Sequence, residues 1–267
     1  SVNVSKDTVA PLAATSPVWT QNSPTNTTAL TASWTKSTST DLADQKIQFY
    51  SDGVCTTASG SLIDLASTSA TTQAFTGANG STYSFKVTSV DTAGNSTTSS
   101  CSNSVTVDTA APTLTGLAND STPTKSKTWS WGCSDASTPC TYLFAVDTTA
   151  TTTPTGTFSS TATATQSSGT GTYYLHIIAK DAAGNTSTVA HYSAVIDNTA
   201  PATTISSPTV ASIINASSAL TAYAVSGACE NGLAITVSAT GGATTVNPAT
   251  QPTCSSGSYS TTINIST

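Results

Sequence analysis

An internal repeat constrains this chain more than any other feature of its sequence. The stretches DTVAP at 7–11, DTAAP at 108–112 and DNTAP at 197–201 begin with aspartates that lie 101 and 89 residues apart. That interval is the size of one small β-sandwich domain. A chain of 267 residues therefore holds two or three such domains in tandem.

A second repeat fixes the register of the first two domains. The segment YSFKVTSVDTAGN at 83–95 matches YYLHIIAKDAAGN at 173–185, residue for residue around the aspartates. We therefore predict four parts, which are a terminal strand at 1–6 and domains at 7–107, 108–196 and 197–267. The third domain lacks a matching segment, and we expect it to be incomplete at its C-terminal end.

Composition excludes several classes of function. Thr accounts for 58 residues and Ser for 43, charged residues make up 7%, Arg is absent, and there are one Glu and two His. Few polar active sites can be assembled from such a set, so we predict no enzymatic activity. The net charge of -6 and seven scattered lysines also argue against a nucleic-acid partner. No apolar run approaches the ~20 residues of a membrane helix.

The hydrophobic pattern is that of short antiparallel strands. Thr, Val, Ile, Tyr and Phe alternate with small polar residues between turn-forming Gly, Asn, Asp and Pro. In the repeated segments, alternation places two sets inward, namely Tyr83, Phe85 and Val87, and Tyr173, Leu175 and Ile177. Their neighbours Lys86, His176 and Lys180 should then point outward. The predicted fold class is all-β, as tandem antiparallel β-sandwiches without significant helix.

These residues carry a resemblance to a known family. The pattern Tyr83-x-Phe-x-Val followed by Asp91-x-Ala-Gly-Asn95, with Trp34 upstream, resembles the bacterial fibronectin type III or immunoglobulin-like repeats of large surface proteins. Residues 198–267 resemble a different bacterial immunoglobulin-like type. The resemblance implies a cell-surface or secreted stalk, commonly adhesive, and transfers no catalytic residue.

Six cysteines indicate an oxidising, extracellular compartment. None forms a Cys-x-x-Cys motif or has a His nearby to complete a zinc site. Two cysteines fall within each predicted domain, and a bridge between consecutive sandwiches would be awkward in topology. We therefore predict the pairs Cys55 with Cys101, Cys133 with Cys140, and Cys229 with Cys254.

The aspartates predict metal sites at the domain joints. In a seven-stranded sandwich, the incoming linker and two of the loops meet at one end. This gathers oxygen ligands that suit Ca²⁺, which is the one candidate ligand of a chain that we expect to require no cofactor. The alternative is that these residues only close turns. The predicted ligands of the first site are Asp7, Asp41, Asp44, Asp91 and Asn95, and those of the second site are Asp108, Asp135, Asp181 and Asn185.

Other polar residues receive plainer interpretations. His176 and His191 could form a metal or acid–base pair, but we interpret them as surface histidines, because no carboxylate is near them in sequence. The Thr-rich stretches 148–155 and 159–165 show no regular short repeat and are interpreted as solvated strand faces and loops.

The favoured function is a structural stalk or adhesive segment of an exported surface protein. Its partners would be a host, prey or neighbouring-cell surface, or further copies of the chain. A second hypothesis is a module that recognises carbohydrate or a surface through exposed aromatic rings, for which Trp19, Tyr174 and Tyr192 are the candidates. A third is an accessory region of a secreted hydrolase.

The two ends of the sequence suggest one further possibility. The segment at 1–6 aligns with the last strand of the first domain, and the third domain lacks closing strands. We expect both ends to be cut from a longer array. Alternatively, residues 1–6 of one subunit complete the third domain of another, which would build a filament by strand addition.

Overall fold

The computed structural model describes residues 6–209, 223–241 and 244–264. Contacts divide the chain into two compact units, Ser1–Asp197 and Asn198–Thr267. The described residues form strands, turns and loops and contain no helix, so none of them belongs to a membrane-spanning helix. This agrees with the predicted all-β class. The predicted terminal strand at 1–6 lies outside the described residues except for Lys6.

Eight strands build the first sandwich. Strands β1, β2 and β5 form one sheet, and β4, β3, β6 and β7 form the other, with β8 pairing to β6. A three-stranded sheet that faces a sheet with the strand order β4-β3-β6-β7 is the arrangement of a fibronectin type III-like sandwich. The strands are β1 (Thr15–Trp19), β2 (Ala29–Thr35), β3 (Leu42–Tyr50), β4 (Ala58–Asp64), β5 (Thr72–Thr76), β6 (Thr82–Asp91), β7 (Ser96–Thr98) and β8 (Val105–Thr106).

The core of this sandwich follows the alternation of the sequence. Tyr83, Phe85 and Val87 of β6 are all buried, as predicted from their spacing. Antiparallel pairing sets Phe49 of β3 opposite Phe85. Trp34 is also buried, with 4% of its surface exposed. The inward face of β6 is therefore continuous with a core drawn from both sheets.

A second core lies in the remainder of the first unit. Strands β10, β16, β15 and β13 form its main sheet, in which β10 runs parallel to β16, while β11 pairs with β14 and β12 with β9. Trp129 and Trp131 are buried in this core. The strands are β9 (Thr113–Thr115), β10 (Asp120–Thr124), β11 (Lys127–Ser130), β12 (Gly132–Ser134), β13 (Thr141–Asp147), β14 (Thr163–Gln166), β15 (Gly171–Lys180) and β16 (Ala190–Ile196).

The two histidines of this sheet differ from expectation. His176 and His191 face each other across β15 and β16, on the side away from Leu175 and Ile177. His176 is nevertheless fully buried, while His191 is exposed. The interpretation of His176 as a surface histidine is therefore wrong, because alternation identifies the face of a sheet and not what covers that face.

The second unit has a small antiparallel core. The strands that the structure describes there are β17 (Tyr223–Ala228), β18 (Ala239–Gly241), β19 (Thr244–Val246) and β20 (Ser258–Ile263), with β17 paired to β20 and β18 to β19. Its buried side chains are Val225, Ile235, Val237, Cys254, Tyr259 and Ile263. The expectation that this domain is incomplete at its C-terminal end stays a prediction, and its last residues, 265–267, lie outside the described part of the chain.

Three disulfides form with the predicted pairing. Cys55 bonds to Cys101, Cys133 to Cys140, and Cys229 to Cys254. Each bridge joins residues within one predicted domain. A complete set of disulfides is typical of proteins that mature in an oxidising compartment.

A carboxylate organises the turn that carries the first of these bridges. Asp52 accepts hydrogen bonds from the Thr56 hydroxyl at 2.6 Å and from the backbone N–H groups of Val54, Thr56 and Thr57. Within this turn Cys55 adopts a positive φ of 58°. The Thr56 hydroxyl, followed by these N–H groups, holds the pKa of Asp52 well below its ordinary value of 3.8.

Substituting Asp52 with asparagine is expected to change how stability depends on pH. Because the folded-state pKa is lowered, the ionised carboxylate stabilises the fold above pH 3.8, and this contribution is lost as the pH falls towards the folded value. The native protein should therefore lose more stability than Asp52→Asn between pH 6 and pH 2.5, as measured by urea denaturation. Ser51→Ala, which removes no titratable group, should follow the native curve. Parallel curves for the native protein and Asp52→Asn would contradict this account.

Candidate metal centres

Two equivalent turns provide the framework of the candidate sites. In the turns 91–95 and 181–185, the aspartate N–H donates to the asparagine carbonyl, at 3.0 and 3.1 Å. Gly94 and Gly184 have φ values of 90° and 102°. These are left-handed conformations that glycine adopts without steric cost. Tight turns of the form Asp-x-Ala-Gly-Asn are thus present in both sandwiches.

The first cluster forms where the linker enters the first sandwich. Carboxylate oxygens of Asp7, Asp41 and Asp91 all lie within 4.8 Å of one another. Asp91 is buried, and its two oxygens accept from Asn95, one from the backbone N–H and one from the side-chain Nδ2, both at 2.8 Å. The same Nδ2 reaches the Val9 carbonyl of the linker at 3.4 Å. Asn95 thus holds the linker against the turn.

The second cluster repeats this arrangement between the two sandwiches of the first unit. Oxygens of Asp108, Asp135 and Asp181 lie within 4.8 Å of one another. Asp181 accepts from the N–H and the Nδ2 of Asn185, again at 2.8 Å. The Asn185 Nδ2 also donates to the Asp108 carbonyl at 2.8 Å. Asp108 and Asp181 are only 4% and 5% exposed, so this cluster is more deeply buried than the first.

The linker at this second cluster is held from both sides. The N–H of Asp108 donates to the Thr25 carbonyl of the first sandwich at 2.8 Å. The next N–H, of Thr109, donates to Asn79 Oδ1 at 2.7 Å. The Asp108 side chain meanwhile faces the loop carboxylates of the second sandwich. A cation at this cluster would therefore be bound by a residue that is also fixed to the preceding sandwich.

One oxygen of this cluster has no partner. Asp108 Oδ1 accepts from the Ala110 N–H at 3.0 Å, but Oδ2 is buried without any hydrogen-bond donor. The Ser137 hydroxyl lies near this carboxylate but does not meet the geometry of a hydrogen bond to Oδ2. Its dipole, followed by the Ala110 N–H, lowers the pKa of Asp108 against the opposing effect of burial. The carboxylate is thus ionised at neutral pH. A buried anionic oxygen without a donor is costly, and a bound cation would satisfy it.

In the part of the chain that the structure describes, no lysine forms an ion pair with an aspartate of either cluster. Among the described residues, the lysine ion pairs join Lys46 to Asp44 and Asp64, and Lys127 to Asp120. The structure therefore places Asp44, a predicted ligand, outside the first cluster and next to Lys46 at 3.9 Å. Asp44 lies within β3, which begins at Leu42, so it is past the loop that delivers Asp41.

The aromatic residues proposed as a binding platform do not form one. Trp19 is 4% exposed and donates its indole N–H to the Tyr83 carbonyl at 3.2 Å, so it belongs to the core. Tyr192 pairs with Leu175 and packs against the second core, whereas Tyr174 stacks on His176 on the opposite face of the sheet. The prediction of an exposed aromatic surface from these three residues is wrong.

Comparison with known proteins gives matches to solved structures only. No protein-family model matches the sequence, and no curated protein matches it. The fibronectin(III)-like modules of CbhA from Clostridium thermocellum match with 16% identity and a TM-score of 0.33, over 68% of this chain and 90% of that one. The chicken CNTN1 FN1–FN3 domains match with 12% identity and a TM-score of 0.29, over 82% of this chain and 76% of that one.

Proposed function

We propose that this chain is a non-catalytic spacer of an exported surface protein and that Ca²⁺ fixes its domain joints. The observation that carries the proposal is the second cluster. There Asp108 is bonded to Thr25 of one sandwich through its backbone and faces Asp135 and Asp181 of the next through its side chain. A cation held by all three carboxylates ties two independently packed cores together.

The donor set favours calcium over other cations. All three side chains that the structure groups in this cluster are carboxylates, and Ca²⁺ takes six to eight oxygen ligands. Water molecules and nearby carbonyl groups would supply the remainder. Neither His nor Cys joins these groups within the described parts of the chain, which disfavours zinc and copper there.

Other features support a spacer outside the cell. Three disulfides suit an oxidising compartment, and three small cores that follow one another in the sequence suit a series of modules. The proposed partners are the surface of a host, prey or neighbouring cell, or further copies of the chain. In this proposal the spacer does not itself bind a surface, and other parts of the same protein would carry out adhesion.

Calcium is expected to raise the melting temperature of the full chain above its value in chelator. A ligand at about 100 times its Kd stabilises the folded state by about 2.7 kcal/mol at one site. Amide hydrogen exchange at 108–112 should slow in parallel, because the cation fixes the linker carboxylate. Both readouts should revert on chelation.

Asp108→Asn tests the assignment to the second cluster. This variant should lose the protection of 108–112 by Ca²⁺, while the first cluster continues to respond. Asp44→Asn is the matched control, since it also removes one acidic charge but lies within β3, outside both clusters. Identical melting and exchange in chelator and in millimolar Ca²⁺ would overturn the role of calcium and leave these aspartates as turn-closing residues.

A further inference from the structure

A histidine pair lies on the outer face of the β15–β16 ladder. His176 and His191 are directly opposite in register, and their Nδ1 atoms are 2.6 Å apart. The rings meet nearly edge to face, with centroids separated by 4.9 Å and planes inclined by 71°. The two Nδ1 atoms are thus joined by a hydrogen bond across the strands.

One member of this pair, His176, is fully buried. His176 is on the face away from the core, yet none of its surface is exposed. On the same face of β15, Lys180 Nζ lies 5.6 Å from the ring of Phe158, which belongs to the segment that follows β13. Tyr174 stacks against the His176 ring, with planes inclined by 22°. His176 therefore has a fixed orientation, whereas His191 is exposed.

The protonation pattern of His176 follows from its second partner. Asp147 Oδ1 accepts from the Thr149 N–H at 2.7 Å and lies 3.2 Å from His176 Nε2. An ionised carboxylate oxygen can only accept hydrogen bonds, so the His176 Nε2 atom beside it must carry a proton and act as the donor. In the neutral ring, the proton is then on Nε2 and the lone pair is on Nδ1. His176 Nδ1 consequently presents a lone pair towards His191.

We propose that His176 and His191 bind one late first-row divalent metal ion, Cu²⁺ most tightly, through their Nδ1 atoms. A histidine whose other N–H is held by a carboxylate is the arrangement found at many metal sites. Imidazole ligands suit Cu²⁺, Ni²⁺ and Zn²⁺, and Cu²⁺ is the strongest of these in affinity. Asp147 is the positioning residue.

The pair can accept an ion with little rearrangement. Metal–nitrogen bonds of about 2.0–2.1 Å place two ligand nitrogens roughly 2.9–3.4 Å apart. The nitrogens must therefore separate by less than about 1 Å, and the proton that His191 Nδ1 donates to His176 must move to Nε2 of the His191 ring. Because His191 is exposed, it can make both changes. Solvent would occupy the remaining positions on the metal. This nitrogen site shares no residue with the two oxygen clusters, so it selects a different class of ion.

Copper titration of the tag-free full chain tests the site. The protein is titrated with Cu²⁺ in competition with a chromophoric chelator, with millimolar Ca²⁺ present to occupy the aspartate clusters. We expect one equivalent to bind with an electron paramagnetic resonance signal from two imidazole nitrogens. His191→Ala should abolish the two-nitrogen signal, and because this residue is exposed the variant should keep the native circular dichroism spectrum.

Two further variants separate ligation from structure. Asp147→Asn keeps the side-chain shape but removes the charge, and it should weaken Cu²⁺ binding about 10–100-fold. Ser193→Ala, two residues from His191 on the same strand, should bind as the native chain does. A native protein that takes up no Cu²⁺, or a folded His191→Ala variant with unchanged affinity and spectrum, would overturn the proposal.

Discussion

Replacing both Cys229 and Cys254 with alanine is expected to unfold residues 198–267 while the first unit stays folded. This bridge joins cysteines 25 positions apart, and closing such a loop stabilises the folded state by about 3.5 kcal/mol in the chain-entropy account. Cys254 is itself 3% exposed and belongs to a core of only six described side chains. The substitution therefore removes both a crosslink and core volume from a small unit.

Calorimetry and amide exchange would measure this effect. The transition of the second unit should move below ambient temperature or disappear, and its amides should exchange freely. The double variant Cys133→Ala and Cys140→Ala is the control, because its bridge spans seven positions and contributes about 2.4 kcal/mol to a unit with larger cores. If the second unit melts within a few degrees of its native value without its bridge, its packing alone keeps it folded and this prediction is wrong.

Phe85→Ala is expected to lower the free energy of unfolding of the first sandwich by about 3–5 kcal/mol. Phe85 is fully buried at the centre of β6. Its ring lies 5.1 Å from that of Trp19, 6.3 Å from that of Trp34 and 6.2 Å from that of Phe49. Removing the ring leaves a cavity bounded by rings from both sheets, which cannot collapse without moving strands.

Lys86→Ala provides a matched comparison on the same strand. Lys86 is on the outer face and lies over the Tyr50 ring at 5.8 Å, so its removal should cost less than about 1 kcal/mol. Urea denaturation followed by tryptophan fluorescence would measure both variants. Similar losses for the two substitutions would mean that the inner face of β6 is not the centre of the core.

The candidate metal centres could be predicted in large part from sequence. Turns of the form Asp-x-Ala-Gly-Asn have local causes, since Gly94 supplies a positive φ and Asn95 caps the Asp91 carboxylate. The meeting of the linker with two loops follows from sandwich topology. Asp44 was placed wrongly, because the boundary between a loop and β3 depends on pairing with β6, which is a long-range interaction.

Sequence by itself determined the all-β class, the inward set of β6, the two turns and the three disulfide pairs, because each depends on residues close in the chain or on counting within a domain. Tertiary structure alone decided which outer faces are covered. Trp19 is buried in the core, Tyr174 and Tyr192 lie on opposite faces of the sheet, and His176 is buried beside Asp147. A period of two fixes the face on which a side chain lies, but contacts between segments far apart in sequence decide whether water reaches that face.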